Sequence, residues 1–339
     1  MPEHRTERVV SDLNRALHGL FDADDDVFLL GEDVADPYGG AFKVSRGLSE
    51  RHPGRVISTP ISEAALVGVA AGLALRGRKL IVEIMFSDFA TLCFDQILNF
   101  ASKSVTMYGK RIPMPIIIRC PSGGNRGYGP THSQSLQKHF IGIPNLALFE
   151  LSPFHDNRTV IERMLALGMP CMFFEDKLLY SRRSFGGEPG DSLFDLDFLD
   201  DGLNWARISL GVPEVDHLLI TPGGVADRAL SAIKSAFVEQ ETACQLVVPS
   251  QLYPIDIASL VPLLRNAGQI WVMEDGPAGG TWGAEVAHLI HAALWESLKG
   301  PVRLLHPECE VIPAASHLER HLLLQADDIR SALTGVVSA

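Results

Sequence analysis

Long apolar runs are missing from this 339-residue chain. The longest, Ala64 to Ala74 behind Glu63, falls well short of the roughly 20 residues that cross a bilayer. The amino terminus, Met1 to Glu7, is charged and leads into an amphipathic segment instead of a signal-peptide core. Cysteine is sparse. Cys93, Cys120, Cys171, Cys244 and Cys309 stand far apart, with no C-x-x-C and no Cys/His spacing for zinc. Each is expected to be a small buried hydrophobe in a reducing compartment. Positive charge is short as well: the net charge is −12 and no basic cluster offsets it. That balance excludes nucleic acid and suits a basic protein partner better. No G-x-S-x-G elbow, P-loop, H-E-x-x-H or helix-opening G-x-G-x-x-G is present. A soluble, cytoplasmic protein without a self-contained catalytic motif or membrane contact is expected.

Hydrophobic content of 46% and charged content of 21% fit an α/β protein, and the length suits two domains. Apolar helical spacing runs from Val9 to Leu20. Short apolar strands follow near 27–30, 55–58, 79–84, 115–119, 146–149 and 171–174, with helices between. One helix is predicted to start at Ser87–Asp88, with Phe89, Leu92, Cys93, Ile97 and Phe100 on one face. This alternation predicts a mainly parallel sheet with helices on both faces, where ligands gather at the carboxyl ends of strands. Gly31-Glu32-Asp33, Glu63, Phe89 and the Gly-rich loop 121–132 all follow strands, so one rim can hold them. Residues 186–215, rich in Gly and Asp, read as a linker with a possible strand in it. A second, smaller α/β domain then fills 216–339, after a first domain of 1–185.

Local physics leaves the candidate residues open. Glu63 heads an almost wholly apolar helix, and acids favour a first helical turn. A buried charge is costly, so it is either a helix-start device or a working acid. His132 is divided between a structural loop role and proton transfer near neutral pH. Phe89 reads as core, while Asp95, Gln96 and Asn99 are either solvated or bonded across a subunit interface. Gly279 to Gly283 precedes a helix and reads as a close-packing device before an anion site.

Taken in order, several motifs carry a resemblance. They are Gly31-Glu32-Asp33-Val34, Tyr38-Gly39-Gly40, Thr59-Pro60-Ile61-Ser62-Glu63, Asp88-Phe89 and Phe94 to Asn99. Then come Arg119 to Gly123, His132-Ser133-Gln134-Ser135, Glu175 to Tyr180, Leu252 to Asp256, and Glu274-Asp275-Gly276 with Gly283-Ala284-Glu285. Over nearly its whole length the chain resembles the β subunit of the thiamine-diphosphate-dependent 2-oxo acid dehydrogenases. The resemblance implies a transketolase-like pyrimidine-binding domain followed by a transketolase C-terminal-like domain. It implies an α2β2 heterotetramer with thiamine diphosphate at the α/β interface. The α subunit would hold the diphosphate and magnesium through Gly-Asp-Gly…Asn, and this chain the aminopyrimidine. Glu63 matches the glutamate that hydrogen-bonds a pyrimidine nitrogen, Phe89 the aromatic packed on that ring, and His132 the histidine that faces substrate. Glu32 is a further cofactor-binding candidate. The implied reaction is oxidative decarboxylation of a 2-oxo acid, with acyl transfer to a dihydrolipoyl acyltransferase core or another acyl carrier.

Departures bear on the details. Gly190-Asp191-Ser192, the nearest approach to the diphosphate motif, ends in Ser and has no suitable Asn, so an α partner is required. Leu167 and Met169 stand where relatives have potassium-binding Asp and Asn, so no potassium site is expected. Thr131 replaces a frequent Gln or Tyr, and Asn125-Arg126-Gly127-Tyr128 is unusual, which leaves substrate and acceptor open. Two other readings stand beside this one: half of a split transketolase-like enzyme, and a β-like scaffold without catalysis.

Overall fold

The computed structural model describes residues 7–185, 193–212 and 215–335. Gly190, Asp191 and Ser192 lie outside the described residues. The strands of the first half are β1 (Val27–Gly31), β2 (Val56–Ser58), β3 (Lys79–Glu83), β4 (Ile116–Ser122), β5 (Ala147–Glu150) and β6 (Cys171–Asp176). Those of the second are β7 (Asp195–Phe198), β8 (Trp205–Ser209), β9 (His217–Ile220), β10 (Cys244–Pro249), β11 (Gln251–Tyr253), β12 (Gln269–Met273) and β13 (Arg303–Leu305). They form two sheets, ordered β11-β5-β6-β4-β3-β1-β2 and β13-β12-β9-β10-β8-β7. In the first sheet every pairing but β11–β5 is parallel. β4 is buried at every position, as a strand covered on both faces must be, and so it reads as an unbroken apolar run.

Three features depart from the sequence reading. The helix expected from Ser87 is a 3-10 turn, Ser87–Cys93, followed by a π-helical turn, Gln96–Ala101. Three residues per turn and then a widened turn shift the apolar face. Leu92 therefore points outward, 59% exposed, while Cys93 and Ile97 are buried. Second, the 186–215 segment, read as a linker with a possible strand, holds two, β7 and β8, which join the second sheet antiparallel, β8 on β10 and β7 on β8. Asp195 and Asp197 are exposed and alternate with half-buried Leu196 and Phe198. That is the period of a half-covered strand, masked by its acidic composition. Third, β11 crosses back and pairs antiparallel with β5, so the second half adds an edge to the first sheet.

The halves meet through a continuous core in which Ile118 and Leu148 share a cluster with Trp205, Val247 and Trp282. The Gly223–Gln240 helix points its amino terminus at β5, where Glu150 accepts from the Gly224 amide at 2.9 Å. Gly223 is required at this approach. A Cβ there would lie 2.0 Å from the Leu151 carbonyl oxygen. The Glu63–Leu75 helix is apolar all round. It buries Leu66, Val67, Ala70, Ala71 and Ala74 but exposes Val69 and Leu75. Among the described residues no helix is long and apolar enough to cross a membrane.

Candidate active site

The parallel register of β1 to β4 brings the expected residues to one rim. Glu32 follows β1, Glu63 follows β2, Phe89 follows β3, and the loop to His132 follows β4. The Glu63–Leu75 helix packs against the 87–93 turn that carries Phe89.

Glu63 is the first helical residue, and Ser62 before it makes no side-chain capping bond. The residue is 7% exposed, and no hydrogen bond to its carboxylate is made by the described residues. Glu32, also buried, has Oε1 without a partner. Burial, then the nearby charges of Glu63 and Asp33, raise the Glu32 pKa against the opposing amide of Ser62. Buried Cys93 lies in the same field, its thiol pushed up to about 12 by burial and then by Glu63. Two neighbouring buried carboxyl groups short of donors form a site suited to a ligand that brings N–H groups or a shared proton.

An aromatic wall stands beside them. The Phe89 and His132 rings meet edge to face at 5.2 Å, and Phe86 meets His132 at 4.8 Å and Phe89 at 6.2 Å. Tyr128 closes on Phe86 at 6.1 Å. Thr131 Oγ1 lies 3.0 Å from His132 Nδ1. Buried Lys177 donates to the His132 carbonyl at 2.9 Å and lies over the Phe86 ring at 5.4 Å. Burial lowers its pKa to about 8, against the pull of Asp176 and Asp88. Asp88 Oδ1 accepts from Gln134 Nε2 at 2.8 Å, while its buried Oδ2 has no partner. No hydrogen bond joins Glu63 to His132 among the described residues; the packing of their elements relates them.

Beneath the rim a charged network crosses three strands. Arg119 donates to Glu175 Oε1 at 2.8 Å and also to Glu83, and Tyr180 donates to Glu175 at 2.5 Å. Glu83 Oε1 accepts from the Ala41 amide at 2.6 Å, which ties down the Gly39–Gly40 turn. Residue-type reasoning passed over Phe86, because an aromatic residue next to a strand reads as core, and it marked Tyr128 only as part of an unusual loop. Among the described residues no group of three His, Cys, Asp or Glu side chains is arranged to hold a metal ion.

The same two halves appear in known proteins. Residues 9–182 match the transketolase pyrimidine-binding domain and residues 208–329 the transketolase C-terminal domain. The chain is 32% identical to a pyruvate dehydrogenase E1 component subunit beta of Leifsonia xyli, covering 89% of this chain and 87% of that protein. It is 29% identical to a 3-methyl-2-oxobutanoate dehydrogenase subunit beta of Mycobacterium tuberculosis, covering 87% and 82%. It is 28% identical to an acetoin:2,6-dichlorophenolindophenol oxidoreductase subunit beta of Cupriavidus necator, covering 94% of each. A solved split-gene transketolase, described as an inactive beta4 tetramer, shares the fold with a TM-score of 0.72 at 20% identity, covering 96% of this chain and 97% of that one. By these matches the chain belongs to the transketolase-like β subunits of the thiamine-diphosphate-dependent 2-oxo acid dehydrogenases.

Proposed function

We propose that this chain supplies the pyrimidine half of a thiamine diphosphate site and acts with an α subunit in oxidative decarboxylation of a 2-oxo acid. The acyl group then passes to a lipoyl group or another thiol carrier. The observation that carries the reading is Glu63, a buried residue whose carboxylate has no protein donor among the described residues, near the unpartnered Glu32 oxygen and on a helix packed against the turn of Phe89. The residues fit the aminopyrimidine: the Glu63 and Glu32 carboxyl groups would receive its nitrogens, and Phe89 would pack on its ring. Bound there, thiamine diphosphate supplies the electron sink that decarboxylation requires. Glu63 would hydrogen-bond the ring nitrogen, and burial and the Glu63 charge raise the pKa of Glu32 beside it. His132, held by Lys177 through its carbonyl and by Phe86 through its ring, presents an imidazole for proton transfer on the substrate side.

Diphosphate and magnesium fall to the α subunit in this reading, with two copies of each chain in the complex. Ile61, Val69 and Leu92 are exposed on segments that pack together, and an α subunit over this side would cover them.

The test replaces Glu63 by Gln, which keeps shape and removes the charge. In the reconstituted αβ complex, decarboxylation of pyruvate or 3-methyl-2-oxobutanoate is expected to fall by about a hundredfold or more, the scale of a lost acid–base group. Assembly, measured by sedimentation, should persist. Unchanged decarboxylation by Glu63→Gln would end the reading and favour a scaffold.

A further inference from the structure

The loop that leads to His132 holds itself only in part, through the His132 amide to the Gly129 carbonyl at 3.4 Å and the Gly123 amide to the Gln134 carbonyl at 3.2 Å. Between β4 and His132 the backbone takes positive φ at Gly123 (79°), Asn125 (64°), Gly127 (69°) and Gly129 (77°). Such a winding leaves amides without regular partners, and buried amides need acceptors. Two find the same acceptor, almost 200 residues downstream. Glu319, in the short helix Ser316–Leu322, takes the Asn125 amide on Oε1 and the Gly127 amide on Oε2, each at 2.8 Å. Gln325 adds a bond from Nε2 to the Asn125 side-chain oxygen at 3.0 Å.

Glu319 is 1% exposed, and no Lys or Arg pairs with it among the described residues. A buried carboxylate without a cation costs several kcal/mol unless hydrogen bonds compensate it. Here the compensation comes from the loop. The fit is close: a Cβ on Gly124 would meet Leu323 Cδ1 at 2.4 Å and Glu319 Oε1 at 3.0 Å, and one on Gly127 would lie 3.5 Å from the Ala314 carbonyl oxygen. The loop's other side carries Tyr128 and His132 against Phe86. A shift at the Glu319 clamp therefore moves that wall.

We propose that Glu319 is a positioning residue for the reaction: the second domain, through this carboxylate, fixes where Tyr128 and His132 stand. This rests on the function proposed above, and it gives the second domain a part in the chemistry besides assembly.

Glu319→Ala and Glu319→Gln chains, each reconstituted with the α subunit, provide the test. Glu319→Gln keeps the volume and one acceptor, so it remains informative where Glu319→Ala does not fold. Hydrogen exchange of peptides covering 123–132 should speed up roughly ten- to hundredfold in Glu319→Ala, and by less in Glu319→Gln, as one or two charge-assisted bonds are lost. The β4 and β6 peptides should exchange as before. With pyruvate and 3-methyl-2-oxobutanoate as probes, kcat/KM should fall about tenfold or more while the Kd for thiamine diphosphate changes less than about threefold. Unchanged loop exchange overturns the clamp. Faster exchange with unchanged kcat/KM, or a parallel loss of cofactor affinity, overturns the positioning role. If wild-type complex decarboxylates no 2-oxo acid, the proposed function fails, and the exchange measurement alone still decides the clamp.

Discussion

Replacing Arg119 by Met isolates what the network under the rim contributes. Arg119 is 1% exposed and serves two carboxylates, Glu83 and Glu175, both fully enclosed. Burial lowers its tendency to stay protonated, but Glu175 and Glu83 outweigh that and raise its pKa. Met fills much of the stem's volume and removes the charge. Two buried carboxyl groups then lose their cation, and only the Ala41 amide and the Tyr180 hydroxyl remain to them. Breaking a buried ion pair from one side costs about 3–5 kcal/mol. Domain stabilities are about 5–15 kcal/mol, so the first domain should be left marginal. The companion variant Arg119→Met/Glu83→Gln/Glu175→Gln removes every charge and keeps the acceptors, and should recover most of the loss. Urea denaturation followed two ways locates the effect. All four tryptophans, Trp205, Trp271, Trp282 and Trp295, lie in the second half, with Trp205 and Trp282 in the shared core, so fluorescence follows that half and its contact with the first while far-UV circular dichroism follows both fully. The dichroism transition of Arg119→Met should move first and furthest. A loss below about 1 kcal/mol, or a triple variant no better than the single, would refute the argument that the uncompensated acids carry the cost.

Two further outcomes concern the contact between the halves. Glu150 and Asp176 are buried there, and burial raises their pKa values to about 8 and about 6. The folded chain then holds protons that the unfolded chain releases, so stability falls as pH rises from the unfolded carboxyl pKa near 4.5 through the folded value. Relative to wild type, Glu150→Gln should gain at least about 1 kcal/mol in urea unfolding between pH 5 and pH 8, and parallel pH curves would contradict this. Gly223→Ala places a methyl group against first-domain backbone and should cost about 2 kcal/mol or more, whereas Gly72→Ala, which meets nothing within 4 Å, should be neutral or mildly stabilising in the isolated chain; equal effects would show that the approach of the Gly223 helix is slack.

The elements and the rim were legible because their signals are local. Ile116 to Ile118 and Val27 to Leu30 are runs that only a covered strand tolerates, and parallel order sends whatever follows them to one edge. Glu63 was legible as a conflict, a charge at the head of an apolar helix. The structure sharpens that conflict by burying the residue at a helix start that has no side-chain cap. Charge hid the strand at Asp195–Phe198, whose alternation is regular but whose composition is that of a solvated turn. At Leu92, helical periodicity failed because the backbone there is 3-10 and then π, and neither repeats every 3.6 residues.

What stayed hidden has a common physical form: a side chain whose partner is far away in sequence. Glu319 carries no local signal in a polar carboxyl-terminal stretch, and Lys177 stands in the Glu175 to Tyr180 motif without showing what it binds. Glu150 reads as a strand end. Each is buried, and each completes another segment: Glu319 the 125–127 amides, Lys177 the His132 carbonyl, Glu150 the first turn of the Gly223 helix. Burying a charge is unfavourable alone, so each of these placements depends on its partner already being in place. The loop to His132 is thus held by Lys177 from β6 and by Glu319 from the second domain. The Lys177 support needs only the first sheet, whereas the Glu319 support cannot form until the two halves have come together. A site wall fixed in this way inherits the stability of the domain contact, and loosening that contact should be felt at His132 before it is felt at Glu63, whose helix is seated wholly within the first sheet's layer.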